Sequence, residues 1–250
     1  MVSAYPVLQK VDELTTKRIH EIATFLSTTK VASVKAEINS SDQVARKSMA
    51  IVYHRSPDGE LEYMMLLPRS SRDRAKDNQP PSFQLASGGK NAWNNNEMFE
   101  IMRTDEIQAD QLEHPHMCAL REGMEELGLR LDNIASIKDM KTMQYISETS
   151  GKPMPIDVLA IEVKDKQAFD EPCKKHGKTE AVGWVKSEKI KEEKPVLNCL
   201  IDLVQVERTI RPDHQKIILD FEAKLLRSEE YFQTPSNGTG HGTHSGRFNT

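Results

Sequence analysis

Apolar residues recur along this chain in two rhythms, and the switches between them mark its elements. Between residues 7 and 29 they fall at helical spacing, at Val7, Val11, Leu14, Ile19, Ile22, Phe25 and Leu26. An amphipathic helix packed on the main domain is expected there. Residues 31–46 are polar and read as a connector. "KSMAIVYHRS", the turn "PDG" and "ELEYMMLLPR" give strand, turn and strand. "RSSRDRAKDNQPP" is a charged loop, and "SFQLAS" is a short strand running into Gly88-Gly89. Residues 91–112 are acidic on balance and are expected to be part helical. "HPHMCALREGMEEL" predicts a helix, with Pro115 in its first turn and Gly128 just past its end.

"TMQYISETSGKPMPIDVLAIEV" comes next as an apolar–turn–apolar hairpin, and "TEAVGWV" as one more strand. Helices are expected over 196–206 and 212–227, the second carrying Ile217, Ile218, Phe221 and Leu225. The Gly/Ser/Thr-rich end of the chain has the composition of disorder. The order is strand-rich, with one helix in the middle and helices at both ends. It predicts a mixed α/β (α+β) sandwich rather than a regular βαβ alternation. The expected division is 1–46 for the N-terminal helix and connector, 47–228 for the main domain, and 229–250 for the tail.

Composition narrows the function. A net charge of -4 provides no global basic field, so nucleic acid as such is not an expected partner. Cys118, Cys173 and Cys199 are far apart and odd in number, which argues against a disulfide framework. No apolar stretch reaches membrane-spanning length, and the first residues carry charges where a signal peptide needs an apolar run. The expectation is a soluble protein of a reducing, cytoplasm-like compartment.

The central helix holds the candidate chemistry. At about 100° per residue, Met117, Leu120, Met124 and Leu127 share one side, while Glu122, Glu125 and Glu126 cluster opposite. The plain reading is a solvated acidic face. The sharper one is a set of hard oxygen ligands for Mg²⁺ or Mn²⁺, since three like charges at this spacing repel. His114, His116 and Cys118 lack the spacing of a zinc site.

The stretch Arg121-Glu122-x-x-Glu125-Glu126-x-Gly128-Leu129 resembles the core of the Nudix box, G-x5-E-x7-R-E-U-x-E-E-x-G-U with U a bulky apolar residue. Seven residues separate Glu113 from Arg121, as on the same pattern, with "SFQLASGGK" upstream and "TEAVGWV" downstream in keeping with the family. Two departures stand out. Twenty-three residues separate Gly89 from Glu113 where the family has five, an insertion of 18, and Gly123 occupies the U position. A surface loop lengthens at small entropic cost, so the insertion is tolerable.

The resemblance implies a Nudix-like α/β/α sandwich with a mixed sheet and extra terminal helices. It implies a hydrolase that cleaves the pyrophosphate bond of a nucleoside diphosphate linked to another moiety, with Mg²⁺ or Mn²⁺ as cofactor. Glu122, Glu125 and Glu126 would be carboxylate metal ligands, joined by the Gly88 carbonyl. Gly88, Gly89 and Lys90 would meet substrate phosphate. Arg121 would brace the glutamates, Glu113 would support the helix start, and Glu180 would be the base that activates water. The implied partner is a nucleotide-type small molecule, the 5′ end of an RNA being the one nucleic acid that fits. Dinucleoside polyphosphates, coenzyme A, ADP-ribose and NADH all stay open. The alternative is a Nudix-fold module that senses a nucleotide without cleaving it. Isomerase chemistry on the same fold needs a cysteine upstream of the box, and none lies between Met1 and Met117.

Overall fold

The computed structural model describes residues 9–10, 13–33, 45–68, 80–94, 97–100, 113–146, 151–172, 179–201 and 204–233. Its elements, in chain order, are β1 (Gln9–Lys10), α1 (Glu13–Thr28), β2 (Val31–Ser33), β3 (Lys47–Arg55), β4 (Leu61–Pro68), β5 (Ala86–Gly89), β6 (Asn91–Asn94), β7 (Glu97–Glu100) and α2 (Pro115–Glu122). After α2 come β8 (Ile134–Ile146), β9 (Pro153–Val163), β10 (Thr179–Lys186), α3 (Ser187–Ile190), β11 (Val196–Ile201), β12 (Val204–Thr209) and α4 (Pro212–Gln233).

The main sheet runs β10-β4-β3-β9-β8-β2, and β5 also pairs with β3. It is mixed: β3–β4, β3–β5, β8–β9 and β10–β4 are antiparallel, while β3–β9 and β2–β8 are parallel. β3 lies at its centre and is buried over six consecutive residues, Ser48–Tyr53, because both faces of the sheet are covered. One edge of β3 is shared by two strands. β4 pairs with residues 53–55, then diverges, and β5 pairs with 47–50. The chain entering β5 fills the split, through a bridge between Leu66 and Gln84.

Two apolar layers make the sandwich. On one face α4 packs Ile217, Ile218, Phe221 and Leu225 against Tyr53, Tyr63 and Met65. On the other, Ile22 of α1 and Ala119 and Leu120 of α2 pack against Ala50, Val52, Leu66 and Ile161. The fold class expected from the sequence is the one observed.

Several local expectations are corrected. The described residues of 196–206 are not helical: β11 and β12 pair antiparallel. From Leu197 to Ile201 exposure alternates residue by residue, the period of a strand with one side covered. The run is too short and too continuously apolar for periodicity alone to separate strand from helix. Within 91–112, the described residues are strands β6 and β7, joined with β1 in a small separate sheet. The connector expected from residue 31 begins with β2, which adds to the edge of the main sheet beside β8. Residues 69–79, with Arg69, Arg72, Arg74 and Lys76, and the tail 234–250 lie outside the described residues. Among the described residues, no helix is long and apolar enough to cross a membrane.

Candidate active site

α2 starts where Pro115 fixes the first turn and His114 caps it, its Nδ1 accepting the His116 N–H at 3.3 Å. The helix continues as one π-helical turn, Gly123–Leu127, a form that concentrates at functional sites. Gly128 ends it with φ of 74°, and the N–H of Leu129 donates back to the Gly123 carbonyl at 3.1 Å. A side chain on Gly128 would also meet the Asp170 carbonyl oxygen at 1.8 Å. At Gly123 a Cβ would stand 3.1 Å from Leu129 Cδ2, so Leu129 already fills the space that a bulky residue would take.

The acidic face of this helix is buried. Glu113 is 0% exposed, Glu122 3%, and Glu125 and Glu126 6% each, which rules out the solvated reading of the glutamates. Arg121 sits among them. It makes a bidentate pair with Glu113, Nε to Oε1 at 3.1 Å and Nη2 to Oε2 at 3.0 Å. Nη1 donates to Glu122 Oε1 at 2.7 Å and to Glu125 Oε2 at 3.3 Å, and Nη2 reaches the Gly89 carbonyl at 3.0 Å. Burial works against the guanidinium charge, but Glu122, Cys118 and Glu113 outweigh it and hold the pKa above its ordinary value. One planar group thereby ties the helix start, the glutamates and the Gly-Gly segment together.

β5 supplies the opposite wall. The Ser87 N–H donates to Glu126 Oε2 at 3.0 Å. A Cβ on Gly88 would fall 1.9 Å from Glu122 Oε1 and 2.4 Å from Oε2, so the chain passes the carboxylate at a distance that only glycine permits. The Cys118 thiol, its pKa raised by burial and by Glu113, approaches the Gly88 carbonyl at 3.7 Å and the Gly89 carbonyl at 3.6 Å. Lys90 is turned inward: it is 5% exposed, donates to the Ala45 carbonyl at 2.7 Å and pairs with Asp157. Its ammonium faces a carboxylate, which takes it out of the phosphate-binding set.

On the far side, the Thr179 hydroxyl donates to the Glu126 carbonyl at 3.0 Å. Glu180, the next residue, is exposed at an irregularity where the β10–β4 register shifts. Trp184 donates its indole N–H to the Lys166 carbonyl at 3.2 Å and packs edge-on to Phe169, while Phe83 is 3% exposed in the core. At the other end of α2, a cavity of about 390 Å³ is lined by His114, His116, Asp139, Lys141, Thr142 and Asp157, among others.

Arg18 of α1 was not anticipated. Its Nη1 donates to Glu125 Oε1 at 3.5 Å across 107 positions in sequence, so no local pattern announces it.

Glu122 bears on whether a divalent cation fits here. Among the described residues its Oε2 is buried with no hydrogen-bond partner, beside the Gly88 backbone. An ionised oxygen in that state is costly unless a cation completes it. The donor set is hard oxygen, the kind Mg²⁺ and Mn²⁺ take. In the arrangement seen, with Arg121 and Arg18 among the carboxylates, no three His, Cys, Asp or Glu side chains among the described residues form a preassembled metal cluster. The donors fit such an ion in kind, and the guanidiniums share the space.

No family model matches the chain, and no curated protein does. Solved structures similar to it include the Nudix hydrolase RenU of M. smegmatis, at 10% identity and a TM-score of 0.39, covering 72% of this chain and 88% of that one. The NUDIX domain of Shewanella oneidensis NrtR complexed with ADP ribose is 12% identical with a TM-score of 0.40, covering 81% and 97%. The C. elegans Ap4A hydrolase binary complex is 13% identical with a TM-score of 0.36, covering 58% and 82%. At these TM-scores the likenesses decide nothing about chemistry, which is read from the box residues and their geometry.

Proposed function

We propose that this chain is a divalent-metal-dependent hydrolase of Nudix type, cleaving a pyrophosphate bond in a nucleoside diphosphate linked to another moiety. The observation that carries the reading is the buried Glu122 oxygen, which has no hydrogen-bond partner among the described residues. It stands on the same helix as Glu125 and Glu126, against a glycine that admits no side chain.

Glu122, Glu125 and Glu126 would hold Mg²⁺ or Mn²⁺. When bound, such an ion screens phosphate charge and lowers the pKa of water. Arg121 and Glu113 keep Glu122 in one rotamer, and a fixed carboxylate costs no reorganisation during reaction. Gly88 brings bare backbone against Glu122, while a Cβ on Gly89 would meet nothing within 4 Å, which leaves room for phosphate at Gly89. Glu180 is proposed to take the proton of the attacking water. The new bond joins water oxygen to phosphorus, and the anhydride P–O bond breaks, its electron pair leaving with the departing phosphate. Cys118 and Cys199 are free thiols, in keeping with a cytoplasm-like site of action.

The test is a panel of ADP-ribose, diadenosine tetraphosphate, NADH, coenzyme A and RNA with a 5′ triphosphate, each with Mg²⁺ or Mn²⁺. Glu125→Gln is expected to lower cleavage of the best compound by about 100-fold or more while the fold persists. Cleavage indifferent to that substitution would remove the proposed site. The second reading, a nucleotide sensor, draws on the guanidiniums of Arg18 and Arg121 already standing among the carboxylates. Tight binding of a panel member with no turnover would establish it.

A further inference from the structure

The two arginines at the glutamate face are held very differently. Arg121 is locked by two bonds to Glu113, one to Glu122, one to Glu125 Oε2 at 3.3 Å and one to the Gly89 carbonyl. Among the described residues Arg18 touches the cluster through one 3.5 Å contact from its Nη1 to Glu125 Oε1. It comes from α1, which lies outside the Nudix-like segment and is seated in the same apolar layer as Ala119 and Leu120 of α2 by Ile22, 0% exposed. The Arg18 side chain is 16% exposed and Glu125 6%, so this charge pair lies where water screens it only in part.

We propose that Arg18 is an internal counter-ion that competes with a divalent cation for Glu125, so that metal loading and the hold of α1 on the box helix oppose each other. The inference rests on the metal-binding reading of the glutamates. A metal ion at Glu125 needs the oxygen lone pairs that Arg18 uses, and two cations beside one carboxylate repel. Of the two guanidiniums, Arg18 has the fewer bonds to lose and an open side toward solvent, so it is the one displaced. Because coupling is reciprocal, whatever Arg18 takes from metal affinity the metal takes from the docking of α1. The helix acts as a removable plug that keeps the carboxylates neutralised until metal arrives.

The experiment is a calorimetric titration of the full chain with Mn²⁺ alone, on wild type, Arg18→Gln, Arg18→Lys and Glu125→Gln. Arg18→Gln is expected to bind Mn²⁺ about three- to tenfold more tightly than wild type, with Arg18→Lys close to wild type. Amide exchange over residues 17–22 is expected to speed up when wild type is saturated with Mn²⁺, and to be insensitive to Mn²⁺ in Arg18→Gln. A merely structural Arg18 would leave Mn²⁺ affinity unchanged or weaker on substitution, and that result overturns the inference. Mn²⁺ binding that Glu125→Gln abolishes and Arg18→Gln leaves unchanged would overturn this inference alone. No Mn²⁺ binding by wild type or Arg18→Gln would overturn the proposed function with it.

Discussion

Arg121 shows how much one side chain organises here. It is 5% exposed and serves carboxylates on three residues and a carbonyl on a fourth. Removing one partner of a buried ion pair costs more than the pair itself contributes, because the remaining charge stays inside. Arg121→Ala is expected to lower stability by about 3–5 kcal/mol, read by urea unfolding. Arg121→Lys keeps the charge but has no fork to span Glu113 while reaching Glu122, so it should recover only part of the loss. Asp139 belongs to a separate network. Burial alone would raise its pKa, but hydrogen bonds from the His116 and Lys141 side chains and the Lys141 backbone pull it well below the usual range. A depressed folded-state pKa contributes stability that is present above the unfolded-state value and lost as pH falls through the folded one. Asp139→Asn is therefore expected to be less stable than wild type at pH 7. The gap should close progressively below about pH 4, checked by unfolding at several pH values.

Among the elements, α2 with its π turn is the one the site depends on. Its length is set by Pro115 at one end and Gly128 at the other. Gly128 has two reasons to be glycine, a left-handed backbone and the Asp170 carbonyl in the place of a side chain. Gly128→Ala is expected to cost about 2–4 kcal/mol, measured by urea unfolding, because backbone on both sides has to shift. The pair of β11 and β12 behaves differently. Its residues alternate in exposure, and Leu200 and Val204 stand 68% and 60% exposed. Consecutive apolar residues can be buried by a helix in a core or by a strand on a covered face, and the neighbour decides which.

For the molecule as a whole, the central sheet is gripped from both faces, and the grip on the side away from the glutamates is aromatic. Phe221 of α4 is 1% exposed, with ring centroids 5.0 Å from Tyr53 and 6.3 Å from Tyr63. The buried Tyr63 hydroxyl donates to Glu222 at 3.2 Å, and the Ser187 hydroxyl reaches the same carboxylate, so α4 is fixed by polar as well as apolar contacts. Phe221→Ala is expected to lower stability by about 3–5 kcal/mol, followed by thermal melting. β3 links the two layers. Its Tyr53 faces α4 and its Ala50 lies under Gly123 on the other side.

What the sequence determined by itself was local or strictly spaced. The helix of residues 114–127 with its proline and glycine ends, strands within 47–56, 60–69, 142–163 and 179–185, and the box residues from Glu113 to Gly128 follow from periodicity and fixed intervals, which short-range sterics and hydrogen bonding enforce. Long-range contacts decided the rest. Whether the acidic face is solvated or buried depends on β5 and α1, elements far away in the chain. Lys90 turned from a phosphate candidate into the partner of Asp157, 67 residues on. Residues 196–201 became a strand because β12 and the body of the domain lie beside them. Arg18 reached Glu125 only through the packing of one helix on another, since a charge at the surface of a helix carries no local mark of the partner it will meet.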